Sequence, residues 1–136
     1  MEFIKLSLQG LDEFLVYFGL CLAFVSAFLA IYVHITPYRE ITLIRQGNTA
    51  AAASLSGTLI GFVLPLASAA EHSVNAFDLA IWATIALVVQ LMVYLIARLL
   101  MPDVARHIPE GKVASGVFLG ALSLGAGILN AASMSY

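Results

Sequence analysis

The stretch TPYREITLIRQGNTAAAASLSGTLIGFVLPL, Thr36 to Leu66, changes character at Asn48. Before that residue stand a Pro, a Tyr, two Arg and a Glu; after it come Ala, Ser and Gly, then an apolar segment holding Pro65. An active-site loop and a chain entering a membrane both have this form, and the composition of the whole chain separates them. Of its 136 residues 62% are hydrophobic and only 10% charged, with a mean hydropathy of +1.00. Soluble domains carry about 25% charged residues, so this is a membrane protein. The net charge of −2 comes with no basic tail or stripe, and nothing points to nucleic acid.

Four stretches have no Asp, Glu or Lys inside their ends, Asp78 opening the third, and are long enough to cross about 30 Å of hydrocarbon at about 1.5 Å per residue. They fall near 14–35, 50–70, 78–100 and 114–134, a single all-α membrane domain with nothing left over for a soluble one. The third ends on Arg98, whose stem can snorkel to the interface. The first is too long for a signal-peptide core, has Glu2 beside Lys5 ahead of it, and reads as a retained anchor. Cys21, the only cysteine, lies inside that span and reads as a packing residue.

Lys and Arg are asymmetric. The connections after the first and third spans carry Arg39, Arg45, Arg98, Arg106 and Lys112, against Lys5 alone elsewhere. By the positive-inside rule both long connections are cytoplasmic and both termini periplasmic. Asp12, Glu13, Glu71 and Asp78 gather on the outer side. Tyr17 and Trp82 suit an outer aromatic belt, and Tyr32, Tyr38 and Tyr94 an inner one.

The second long connection repeats the first. MPDVARHIPEGKVASGVFLGALSLGAGILNAASM, Met101 to Met134, aligns with one gap so that Pro37 meets Pro102, Gly47 meets Gly111, and Gly61 meets Gly125. Duplication of a two-span unit explains the ordered series, with repeats near 14–70 and 78–134 pointing the same way. In the first connection the spacing predicts a short surface helix. Thr36 serves as N-cap, Pro37 opens it and Gly47 stops it; Ile41 and Ile44 share one face, while Arg39, Glu40 and Gln46 meet water or headgroups. A plain connecting turn and a docking surface for a cytoplasmic partner are both compatible with it. Tyr38, Arg39, Glu40, Arg45 and Asn48 form the candidate partner face.

Ala53, Gly57 and Gly61 recur at spacing four in the second span; Gly116 and Gly120, Ala121 and Gly125, then Gly127 and Ala131 mark small faces in the fourth. In lipid no hydrophobic drive pulls helices together, so close backbone approach over small residues does. The second and fourth spans are therefore expected inside, the bulky first and third outside, and the spare small faces to join copies into a homo-oligomer. Pro65 removes the helical partner of the Gly61 carbonyl and predicts a kink or hinge. Gln90, Asn130 and Thr58 are the candidates for pore lining or interhelical bonding. Ser54, Ser56, Thr58 and Ser123 can bond their own helix backbone. No Asp or Glu is placed deep in a span, which removes the usual carboxylate of a proton-coupled antiporter. No phosphate loop, nucleophile elbow or metal-spaced His/Cys/Asp/Glu set is present in the sequence, and His34, His72 and His107 are scattered. The expectation is a non-enzyme without cofactor.

The strings TPYREI, GNTAAAASLSGTLIGFVLPL, FDLAIW, Gln90, RLLMP and GILNAASM resemble the YjfL type of small bacterial inner-membrane proteins, a domain-of-unknown-function family of tandem two-helix units. The likeness runs from about Leu22 to Met134. The second unit departs from the first, with Pro-Asp for Pro-Tyr and Gly-Lys for Gly-Asn. The resemblance implies a bacterial inner membrane, no assigned reaction, and an association with PspA-like membrane-stress proteins. Two function classes follow: an oligomeric scaffold that recruits a partner in envelope stress, or an ion or small-solute channel formed between subunits.

Overall fold

The computed structural model describes residues 1–134, and these form helices joined by short turns with no strand among them. In chain order they are α1 (Glu2–Leu8), α2 (Leu11–Ile35), α3 (Glu40–Arg45), α4 (Thr49–His72), α5 (Ala76–Leu100), α6 (Val104–His107) and α7 (Val113–Ser133). Helices α2, α4, α5 and α7 are long and apolar enough to cross a membrane. The connections carrying α3 and α6 share one end of the bundle with Arg39, Arg45, Arg98, Arg106 and Lys112, the basic end. α1 is exposed along its whole length, and the sequence reading did not anticipate it.

The bundle is built on α4 and α7, which pack more extensively than any other pair. Small residues let their backbones touch. A Cβ on Gly57 would run into the backbone of Gly120, one on Gly116 into Ala50, and one on Gly127 into Gly61, each closer than real Cβ atoms approach. Gly120 lies over the Ala53 carbonyl. Such approach turns glycine Cα–H groups toward carbonyls of the neighbouring helix, a weak bond repeated along the seam. Gly127 meets the Gly61 carbonyl, the group that Pro65 deprives of its helical donor. Pro65 itself is buried within a continuous α4. Gly125 has nothing near the position of its absent Cβ and lies off this seam, whereas Gly127 belongs to it.

Helix α5 lays Leu79, Ala83, Ala86, Gln90, Tyr94 and Ala97 against the pair, a single face at spacing three and four. α2 buries only Phe28 and Tyr32 and exposes Phe14, Leu15, Phe18 and Leu22, so it lies outermost. Phe28 stacks on Phe62 of α4 at 4.6 Å between ring centroids.

Local signals set the helix ends. Thr36 precedes Pro37, whose ring pushes it into extended backbone (φ −74°, ψ 139°) and ends α2 at Ile35. Thr36 is therefore not an N-cap: its hydroxyl donates to the carbonyls of Val33 at 3.2 Å and Tyr38 at 3.3 Å. α3 starts at Glu40, three residues later than the Pro37 reading predicts. Gly47 (φ 86°) and Gly111 (φ 79°) adopt the left-handed conformation, and the following amides, Asn48 N–H and Lys112 N–H, reach back to the Leu43 and His107 carbonyls at 2.9 and 3.0 Å. The three-residue turn between α4 and α5 closes with a reciprocal cap. Asn75 accepts from the Asp78 amide at 2.8 Å, and Asp78 accepts from the Val74 amide at 3.1 Å.

The seam makes a sharp prediction. Gly116→Leu or Gly57→Leu forces the α4 and α7 backbones apart and costs at least the ~1–3 kcal/mol of an overpacked core, whereas Gly125→Leu leaves the isolated chain's stability unchanged. Thermal unfolding in mild detergent checks it; equal midpoints for all three variants would contradict the seam.

Candidate functional site at the basic end of the bundle

Folding Thr36 against Tyr38 turns the start of α3 toward the helices rather than toward water. Glu40 is 1% exposed and Tyr38 9%, while their neighbours Arg39 and Ile41 are exposed. This corrects the reading of Glu40 and Tyr38 as part of an outward face. The chain bends through Thr36–Tyr38, with Thr36 and Arg39 extended, and this turn leaves Thr36, Tyr38 and Glu40 buried while Pro37 and Arg39 are exposed. Ile41, the next residue in α3, is half exposed.

Glu40 enters a polar pocket of side chains from three elements. Tyr32 comes from α2, Ser54 and Thr58 from α4, and Tyr94 from α5; all are buried. Tyr32, Tyr38 and Tyr94 thus gather around a carboxyl instead of forming an interfacial belt. The Tyr32 ring stacks on Phe28 at 5.9 Å and meets Tyr94 edge-on at 5.0 Å. The Tyr32 and Tyr38 hydroxyls lie beside the Glu40 carboxyl and beside Ser54. Yet none of Tyr32 Oη, Tyr38 Oη, Ser54 Oγ or the two Glu40 carboxyl oxygens makes a well-formed hydrogen bond among the described residues. Thr58 is the exception, donating to the Ser54 carbonyl at 2.8 Å and lying 3.2 Å from Ser123 Oγ.

Burial dominates the electrostatics. It pushes the Glu40 carboxyl up to about 8, the neighbouring Tyr32 and Tyr38 hydroxyls offsetting only part of the shift, and it holds the Tyr38 phenol far above its ordinary range. Arg98, one turn beyond Tyr94, donates to the Ile35 carbonyl at 3.2 Å and caps the end of α2. No basic side chain pairs with Glu40 among the described residues.

A family profile described as "Domain of Unknown Function (DUF350)" matches residues 5–134. The chain belongs to the DUF350 family. It is 45% identical over 129 residues to the UPF0719 inner membrane protein YjfL of Escherichia coli strain K12, covering 95% of this chain and 98% of that protein. The YjfL protein of Escherichia coli O157:H7 matches to the same extent. No solved structure matches.

In this DUF350 protein the other sequence candidates are dispersed. Arg39 and Arg45 are exposed at the basic end, but Asn48 is turned inward as a clamp. Its Oδ1 accepts from the Ala51 amide at 3.0 Å, capping α4, and its Nδ2 donates to the Ile108 carbonyl at 2.9 Å, tying the two connections together. Gln90 lies at the junction of α4, α5 and α7, with Nε2 donating to the Ser123 carbonyl at 2.8 Å beside Gly61. Asn130 keeps a buried Nδ2 without a partner among the described residues, near the other end of α7. Gln90 and Thr58 therefore bond between helices, and Asn130 stands apart from both.

Sequence reasoning missed Tyr32, Ser54 and Tyr94 as partners of Glu40. The available signal was depth: Tyr32 lies about one turn and Tyr94 about two turns before the basic end of their spans, near the connection holding Glu40.

Because Glu40 holds its proton more tightly when folded than when unfolded, stability falls as pH rises from the ordinary carboxyl range near 4.5 to about 8, then levels off. Glu40→Gln flattens that dependence; an unchanged pH profile of the detergent-phase melting temperature would refute the buried carboxyl. Asn48→Ala removes a cap and a clamp together and lowers stability by about 1–2 kcal/mol, measurable by the same melt.

Proposed function

We propose that this DUF350 protein is a non-catalytic, multi-pass component of the bacterial inner membrane that assembles as a homo-oligomer and handles a small cation or proton at its Glu40 centre. The observation that carries this reading is the carboxyl itself. An ionisable group enclosed by a transmembrane bundle is costly, and such groups recur in ion and proton pathways. The membrane assignment draws on four spanning helices and on the relationship to an inner membrane protein. The orientation with both termini periplasmic rests on the concentration of Lys and Arg at one end. The tandem-repeat reading is supported by the paired left-handed glycine turns at Gly47 and Gly111. Assembly draws on the half-open side of α7 at Ala121 and Gly125, turned away from the α4 seam. Gln90 and Thr58 are committed to bonds between helices, which moves the ion-handling reading from a path between subunits to the Glu40 centre.

A scaffold role in envelope stress is the second reading, and the exposure of Arg39 and Arg45 favours it. These arginines would face the cytoplasm and suit acidic headgroups or a PspA-like membrane-stress protein.

Reconstitution in liposomes separates the two. The ion-handling reading expects proton or alkali-cation flux that Glu40→Gln lowers at least tenfold. Absence of flux in the wild type, with partner capture that is lost when Arg39 and Arg45 become Glu, would overturn it for the scaffold.

A further inference from the structure

Five buried oxygens converge where α2, α3 and α4 meet at the basic end. They are the two of Glu40, Tyr32 Oη, Tyr38 Oη and Ser54 Oγ; they lie beside one another, yet none makes a well-formed hydrogen bond among the described residues. Tyr32 and Ser54 are 0% exposed and Glu40 1%. A buried polar group left without a partner costs about 1–3 kcal/mol, and more when charged. The three hydroxyls can donate as well as accept, but none is aligned on a neighbouring oxygen, and a cation drawn among them would satisfy all five at once.

We propose that this cluster is a binding site for a bare monovalent alkali cation, with the Glu40 carboxylate as the charged ligand and Tyr32, Tyr38 and Ser54 supplying neutral oxygens. The inference rests on the ion-handling reading above and names its ion. All the donors are hard oxygens, without nitrogen or sulfur, which disfavours transition metals. A single carboxylate balances one positive charge, whereas a divalent ion would leave net charge buried beside neutral phenols, and Ca2+ sites supply more oxygens and Mg2+ sites keep waters. The aromatic faces are taken: Tyr32 stacks on Phe28 and meets Tyr94 edge-on, so they do not form an open cage for an organic ammonium. Entry is short, because the residues flanking Glu40 in sequence, Arg39 and Ile41, are exposed.

The proton is the natural competitor, since burial favours the neutral carboxyl. The titratable groups facing Glu40 are Tyr32 of α2, Tyr38 of the connection and Tyr94 of α5, while Arg98 at the end of α5 acts on Tyr94 and bonds Ile35. Burial keeps the Tyr38 phenol protonated wherever Glu40 titrates, so the one proton displaced per cation is that of Glu40. Affinity then rises about tenfold per pH unit below the carboxyl's titration and levels off above it.

The test uses the full chain in detergent micelles. Melting temperature is measured in sodium, potassium and choline chlorides at matched ionic strength, near pH 6 and near pH 9. The site expects one alkali ion to raise the midpoint by several degrees over choline near pH 9 and by much less near pH 6. Broadening of the 23Na or 39K resonance by the wild type reports binding directly, so the test does not depend on a variant folding. Glu40→Gln abolishes both effects, Glu40→Asp weakens them, and Ser54→Ala lowers affinity several-fold. Identical midpoints in all three salts with no resonance broadening overturn the proposal, as does an alkali effect that survives Glu40→Gln. Flux of protons alone in liposomes would keep the ion-handling reading and sink the alkali site. Alkali binding without any flux would keep the site and sink transport.

Discussion

Everything in this bundle depends on how closely α4 approaches α7. Lipid tails are as apolar as leucine, so burying aliphatic side chains gains little inside a bilayer. What remains is contact between backbones, available only where side chains are absent. Gly57, Gly61, Gly116, Gly120 and Gly127 remove those side chains along one seam. With the two backbones in touch, Thr58 reaches Ser123 and Gln90 reaches the Ser123 carbonyl, and α5 is tied to the pair. A single added methyl on this seam would hold the helices apart and lengthen every one of those bonds.

The same seam sets the polar centre. With α4 held against α7, the flank of α4 beside the seam presents Ser54 to Tyr32 and Tyr38. Phe28, stacked on Phe62, brings Tyr32 alongside. The Thr36–Pro37 junction then decides where the chain goes next. Proline holds Thr36 extended, and the bend that follows leaves Tyr38 and Glu40 buried and Arg39 exposed. A carboxyl therefore enters the bundle from a connection rather than from a spanning helix, and its burial raises its proton affinity.

That route explains what was legible in advance and what was not. The four spans are written in runs of uncharged residues, and the helices match them to within three residues at either end. Gly47 and Gly111 were readable as left-handed stops because glycine between a polar helix and a new apolar run has few other uses. Thr36 and Pro37 misled: threonine before proline has the pattern of a capped helix start, but here it terminates the preceding helix. Glu40 beside Arg39 in a charged loop looked solvated, since nothing in a linear pattern shows which residues of such a turn face a bundle. Gly125 and Gly127 both suit a small face; two residues along a helix differ by about 200° in direction, and only the seam determines which one faces α4.

The sequence by itself determined that this chain lies in a membrane, where it crosses, which of its ends is basic and which residues are small enough for close packing. Those properties follow from local composition and from the thickness of a bilayer. The tertiary structure alone decided that Tyr32, Tyr38, Glu40, Ser54 and Tyr94 share one buried site. These residues lie up to 62 positions apart in the chain, from Tyr32 to Tyr94. Their meeting is a consequence of helix packing, which no local pattern encodes.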